Sequence, residues 1–280
     1  MKTKSLLIAG ILSISGLTNM TAQINLGERA LGALSNGIKG FTFSDEDAAN
    51  IAREAIAKMD AENPVATAKD PYAIRLNKVF GRHANEGGLA LNFKVYKVKD
   101  INAFACADGS VRVFSGLMDI MDDNELLAVI GHEIGHVANH DSRDGMKAAY
   151  KKAALIDAVS SQSGKVAVLT DSQLGQMGSA MLDSRHTRGQ ESEADTYSYD
   201  FMKKYGYNVN AVESAFNILS SLSGGAEAGF LEKMMASHPD SKERAANAKS
   251  RAEEDALYKP YVKQVKVTAK TTKKVTKKKK

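Results

Sequence analysis

The chain has 280 residues, 43% of them apolar and 25% charged, with four prolines, one cysteine and no tryptophan. This is the composition of a globular protein of one large or two small domains, and the scarcity of proline points to a mainly helical body. The formal charge of +5 is uneven: residues 1–23 carry two lysines and no acid, residues 263–280 carry nine lysines and no acid, and the stretch between is left at −6. A body of that charge is not read as a nucleic-acid binder. The single cysteine, Cys106, excludes an intramolecular disulfide and a cysteine-based metal cluster, and is read as a small buried hydrophobe.

The first 22 residues read as a secretory signal peptide. Lys2 and Lys4 form its basic start, Leu6 to Leu17 its apolar stretch, and Ala22 its cleavage point. The alternative is an uncleaved N-terminal anchor. Ser44 is an N-cap followed by Asp45, Glu46 and Asp47, and Ile51, Ala55, Ile56 and Met59 recur at helical spacing up to Asn63-Pro64. A second helix is expected from Pro71 to about His83. Leu89 to Val98 alternates as a strand does. Ile101–Ala107 and Val111–Ser115 read as two more strands around an Asp108-Gly109 turn, giving a short antiparallel sheet. Helices then dominate: Asn124 to about His140 capped by Asp122 or Asp123, about 143–161, Gly189 to about Lys204, Ala211 to about Leu222, and about 241–256. Ser223-Gly224-Gly225 marks a loop. The expected division is a signal peptide over 1–22, one catalytic domain over 23–262 and a disordered lysine-rich tail over 263–280.

The central signal is His132-Glu133-Ile134-Gly135-His136. Side chains four apart share a helix face, so both imidazoles reach one ion, and Glu133 beside the first is placed to take a proton from an attacking water. The helix around them is apolar on most sides, and unpaired imidazoles and a carboxylate would be costly there. His140 continues the spacing but lies about 12 Å along the axis from His132, too far to join the same ion. It reads instead as a cation at the helix end. The third ligand is sought in Glu191-Ser192-Glu193-Ala194-Asp195. Glu191 completes a two-histidine, one-glutamate zinc site, and Asp195, on the same face, orients a liganding histidine. Glu193 is the alternative ligand. The bland reading of the stretch is a solvated acidic face.

With these motifs in place, the chain resembles the zinc metallopeptidase family that contains HtpX and the CAAX prenyl endopeptidases, in its soluble exported BepA- and LoiP-like branch. The resemblance runs from about residue 70 to 256. It is carried by Asn102-Ala103-Phe104-Ala105, Val113 to Leu117, Glu125-Leu126 through His140, Arg188 to Asp195, and Ser237-His238-Pro239-Asp240 followed by Arg244. It implies an α+β, mainly helical, zincin-like fold with a short antiparallel sheet and an active-site helix. It also implies one Zn2+ per chain on His132, His136 and Glu191. Glu133, His238 and Arg244 are then catalytic, and Asn102, Ala103, Phe104 and Ala105 form the strand on which substrate backbone lies. His238 either stabilises the oxyanion or closes the site as an extra ligand; a plain helix entrance is the other reading of Ser237-His238-Pro239.

The expected function is endoproteolysis of exported or envelope polypeptides outside the cytoplasm. Two alternatives stand beside it: a periplasmic chaperone or assembly factor whose zinc site is normally closed, and a non-peptidase zinc hydrolase. The lysine tail reads as a solvated extension, or as a segment drawn to an anionic membrane surface.

Overall fold

The structure is a computed structural model that describes residues 44–156, 171–182, 185–222 and 228–264. The expected signal peptide, the Ser223-Gly224-Gly225 loop and the tail from 265 onward lie outside them. The chain divides into two compact units. The larger comprises Ser44–Ala149 with Leu169–Lys280, and the smaller Met1–Phe43 with Tyr150–Val168. In the smaller unit the described residues are the helical end from Tyr150 to Ile156.

The larger unit begins with α1 (Asp45–Glu62) and α2 (Pro71–Phe80), the latter extended by a 3-10 turn at Gly81–His83. A two-stranded ribbon, β1 (Asn85–Glu86) and β2 (Leu89–Ala90), precedes the three strands β3 (Asn92–Tyr96), β4 (Ala103–Ala105) and β5 (Ser110–Phe114). The helices after them are α3 (Ser115–Ile120), α4 (Asp123–Ala138), α5 (Asp141–Ile156), α6 (Asp171–Leu182), α7 (Arg188–Lys204), α8 (Asn210–Leu222), α9 (Ala228–Ser237) and α10 (Ser241–Glu254). The body is mainly helical with small sheets, as expected.

The three-stranded sheet has the order β3-β5-β4. β4 and β5 form the expected antiparallel hairpin, with Phe104 opposite Arg112. β3 joins β5 in parallel, Val95 opposite Val113, so the sheet is mixed rather than wholly antiparallel. The cause is the connection from β3 to β4, which passes over the place that β5 later fills. Gly116 makes this possible: a Cβ there would lie 2.1 Å from the Lys99 carbonyl oxygen. Arg112 on the middle strand is almost fully buried and is held by Asp60 of α1, Nε to Oδ1 at 2.8 Å and Nη2 to Oδ2 at 3.0 Å. The pair ties α1 to the sheet.

α4 is the central element, buried from Glu125 to Val137. Asp122 caps it, accepting from the Asn124 and Glu125 amides, while the Glu125 carboxylate accepts from the Asp122 amide at 2.7 Å. α7 crosses α4 closely because both present small residues at the crossing. A Cβ on Gly131 would stand 3.5 Å from the Ser198 Cα, and one on Gly135 2.9 Å from the Ala194 Cα. The Ser198 hydroxyl donates to the Ala128 carbonyl across the crossing at 2.6 Å. Thr187 and Gln190 form the capping box of α7. The two helices that carry the sequence motifs are therefore capped at their starts and fixed against each other.

Candidate metal centre

His132 and His136, one turn apart on α4, bring their Nε2 atoms to 3.0 Å of each other. α7 supplies Glu191, whose Oε1 is 3.4 Å and Oε2 3.6 Å from the His136 and His132 Nε2 atoms. The turn after α9 supplies His238, with Nδ1 2.9 Å from Glu191 Oε1 and 3.2 Å from His132 Nε2. These four residues are buried, and their donor atoms lie within 4.8 Å of one another. Glu133 lies alongside, its Oε1 3.6 Å from His238 Nε2.

The outer nitrogens of both helix histidines face carboxylates. His132 Nδ1 is 2.9 Å from Asp195 Oδ1, the expected neighbour, and 3.0 Å from Arg244 Nη2, which shares that nitrogen with the carboxylate. His136 Nδ1 is 2.9 Å from Asp141 Oδ2, and Gln190 Nε2 donates to the other Asp141 oxygen at 2.8 Å. Such contacts fix the tautomer and plane of an imidazole. Sequence reasoning missed Asp141. It follows His140, whose φ of 66° turns the chain out of α4 so that the next residue points back at the motif. The signal available was an acid just beyond the helix end. His140 itself is exposed near Asp45 at 3.6 Å, away from the cluster as its axial distance from His132 requires. Glu193 is exposed and does not join it.

Arg244 of α10 is buried behind the cluster. Its Nη1 is 2.5 Å from Glu191 Oε2, Nη2 donates to Asp195 Oδ1 at 2.6 Å, and the guanidinium lies over the Phe216 ring at 4.1 Å. It is not among the residues that line the cleft; its contacts are with the two acids and with His132. The cleft itself is lined by Glu133, His136, His238, the Asn102–Cys106 strand and the apolar faces of α5 and α6. β4 is an edge strand of its sheet among the described residues, so the four strand residues expected to meet substrate lie at the cleft. Asn102 is partly committed, since its Oδ1 accepts from the Ala103 amide at 2.9 Å.

Electrostatics suit a cation. Burial, then the charge of Arg244, drives the His132 imidazole well down in pKa, so it stays neutral with a lone pair to offer. Burial alone would raise Glu191, but hydrogen bonds from His136 and His238 outweigh it and hold the carboxyl far below the usual range. Burial raises Glu133. Burial lowers His136, but its bonds to Asp141 and Glu191 outweigh that and push it up to about 9. Glu133 Oε1 and Glu191 Oε2 are buried without a hydrogen-bond partner, the latter despite its close ion pair with Arg244. Two imidazoles, a carboxylate, a third imidazole at hand and orphaned oxygens fit a divalent ion.

The family profile described as Peptidase family M48 matches residues 73–252. The chain belongs to peptidase family M48. This M48 chain is 41% identical over 251 residues to the Metalloprotease YcaL of Escherichia coli (strain K12), covering 89% of the chain and 94% of that protein. It is 38% identical over 261 residues to the Metalloprotease LoiP of the same organism, covering 92% of the chain and all of LoiP. A Protease HtpX of Xanthomonas euvesicatoria pv. vesicatoria shares 46% identity over 65 residues, about a fifth of each chain. The protein is thus a metalloprotease acting on polypeptides, as the sequence motifs implied. No described helix is long and apolar enough to cross a membrane.

Proposed function

We propose that this M48 metalloprotease is a zinc endopeptidase that cuts exposed segments of exported polypeptides, in quality control or processing. His132, His136 and Glu191 hold the ion and Glu133 is the general base. The observation that carries this reading is the convergence of the three donors from two capped helices, with Glu133 beside them at the floor of a cleft. Two imidazoles and one carboxylate are a set that zinc favours. A bound zinc ion supplies Lewis acidity and lowers the pKa of water.

The residues of the chain do the rest. Glu133, its pKa raised by burial, takes the proton of the attacking water and delivers it to the leaving amine. Asp141 holds the His136 imidazole in one tautomer and plane, and Asp195 with Arg244 holds the outer side of His132. β4, whose Ala103 amide bonds Asn102 Oδ1 and whose Ala105 carbonyl accepts from Ser142, offers the remaining main-chain groups of its outer edge to an extended peptide. Export rests on the signal-peptide pattern of residues 1–22, and the lysine-rich end supports contact with an anionic membrane surface.

The test measures bound zinc and casein cleavage together in the full chain and in Glu133→Gln. One zinc per chain in both, with cleavage in the first alone, is expected. A wild type that cleaves without zinc, or a Glu133→Gln variant that cleaves as well as wild type, would overturn the reading.

A second reading is favoured by one contact. His238 Nδ1 stands 2.9 Å from Glu191, where a fourth donor would stand. A site closed in this way suits a chaperone or assembly factor that rarely cuts. Retention of biological activity by Glu133→Gln would select it.

A further inference from the structure

The chain has six histidines. His83 is buried in an aromatic cluster with Phe201, Tyr205 and Tyr207. His140 is exposed beside Asp45. His132, His136 and His238 belong to the donor cluster. His186 is left. It lies in the segment that enters α7, one residue before the Thr187 cap, and it lines the cleft with Glu133, His136 and His238 without belonging to the four-residue donor group.

We infer that His186 is a further catalytic residue: its imidazole donates a hydrogen bond to the carbonyl oxygen of the peptide bond under attack. The inference rests on the proposed reading of the site as that of a Glu133-dependent peptidase.

Three observations support it. The His186 ring is stacked on His136 with centroids 3.7 Å apart and planes at 13°, and lies 5.1 Å from the His238 ring. Stacking uses the face of an imidazole. Its nitrogens lie in the ring plane and remain available to a ligand in the cleft. The His186 amide donates to the Ser237 carbonyl at 3.2 Å, so the segment carrying His186 is tied to the turn carrying His238. The ring is therefore held on two sides while it stays only half-buried, unlike the fully buried donors. Asp141 and His136 have ligand atoms within 4.8 Å of a His186 nitrogen, while the two Asp141 oxygens accept from His136 and Gln190.

His238, to which the sequence reading gave the oxyanion role as one alternative, is engaged through Nδ1. Its Nδ1 faces Glu191 and His132, and its Nε2 faces Glu133 at 3.6 Å. At that distance Nε2 makes no hydrogen bond, so His186 is assigned a place beside His238 and not instead of it. In the step proposed, water adds to the carbonyl carbon, the π pair moves to the carbonyl oxygen, and Glu133 takes the water proton. On collapse the C=O bond re-forms, the C–N bond breaks, and the Glu133 proton passes to the amine nitrogen. His186 keeps its own proton and stabilises the oxygen while it carries charge.

The test uses the zinc-loaded full chain with His186→Phe, which keeps the stacking and removes the donor, and His186→Gln, which keeps a donor. It measures kcat and KM on a fluorogenic peptide, bound zinc, and inhibition by a phosphonate peptide that mimics the tetrahedral species. In His186→Phe, kcat is expected to fall about 10²-fold with KM and zinc unchanged. Phosphonate inhibition weakens by a similar factor, and His186→Gln retains more activity than Phe. A His186→Phe variant with wild-type kcat overturns the assignment, as does a loss of kcat that tracks loss of zinc while phosphonate inhibition is unchanged. A wild type whose cleavage does not depend on Glu133 overturns the underlying reading instead.

Discussion

Gly135→Ala tests how the crossing of α4 and α7 sets the metal centre. The added Cβ would stand 2.9 Å from the Ala194 Cα, 3.0 Å from the Tyr197 Cβ and 3.1 Å from the Ala194 carbonyl oxygen. Carbon atoms pack best at about 3.5–4.0 Å, so the α7 backbone must retreat by roughly half an ångström. Alanine gains about 0.8–1.0 kcal/mol over glycine within a helix, while overfilling a packed core costs about 1–3 kcal/mol. The net loss is about 0–2 kcal/mol, or up to about 8 °C in melting temperature for a domain of this size. The larger effect falls on the metal. Glu191 lies one turn upstream of Ala194, and coordination tolerates only about 0.2 Å of error. Zinc affinity should fall about 10- to 100-fold, which removes about 1.4–2.7 kcal/mol of the stabilisation that bound zinc provides.

The assay is thermal unfolding by circular dichroism in chelator and in saturating zinc, with affinity taken from chelator competition. The variant should melt slightly below wild type in chelator and gain less from zinc. Gly189→Ala, also on α7, is the control: the nearest atom to its added Cβ is Thr187 Oγ1 at 3.9 Å, so it should melt higher. If Gly135→Ala gains as much from zinc as wild type does, the close crossing is not what positions Glu191.

Two further outcomes are expected. Asp141→Asn removes the charge facing His136 Nδ1 and should weaken zinc binding about 10-fold or more in chelator competition, with the far-ultraviolet spectrum unchanged. Asp60→Asn leaves the buried Arg112 without its counter-charge and should cost roughly 3 kcal/mol at neutral pH by urea unfolding. Burial raises the Asp60 carboxyl, but its bonds with Arg112, Lys94 and Tyr96 outweigh that and hold it below its ordinary 3.8. Its stabilisation is therefore full above that value and lost as pH falls through the depressed one. Wild type should lose more stability than Asp60→Asn between about pH 5 and pH 3.

The elements whose signals are local were legible. Ser44, Asp122 and the apolar spacing behind them announced α1 and α4, and the chemistry of the motif named His132, His136 and Glu191 before any fold was known. α6 was not legible, because Gly175 and Gly178 break its pattern; each is there since a side chain of α1, Lys58 or Met59, packs against it. The parallel pairing of β3 was hidden as well, because it depends on which strand fills the gap and not on the alternation within β3. Asp141 and His186 escaped for a related reason. Each meets His136 through a local turn or a docked segment, and neither sits at helical spacing from it. Gly135 was visible as a letter of the motif and Gly131 as its neighbour, but their purpose lies in Ala194 and Ser198, about sixty residues on.

The charges of the centre join fold to function. Glu133, Glu191 and Asp195 gather around His132 and His136, with Asp141 on the outer side, and Arg244 is the guanidinium bonded among them. Arg244 offsets the repulsion between Glu191 and Asp195, one turn apart on α7, and so lets that helix bring both acids to α4. The buried Glu133 Oε1 and Glu191 Oε2 atoms have no hydrogen bond, although Oε2 is ion-paired with Arg244. Buried carboxylates in that condition are costly, and the chain offers no second guanidinium to them among the described residues. On the proposed reading a divalent ion meets this need. The donors of the ion come from both α4 and α7, so on that reading metal binding and the stability of the α4–α7 crossing rise and fall together.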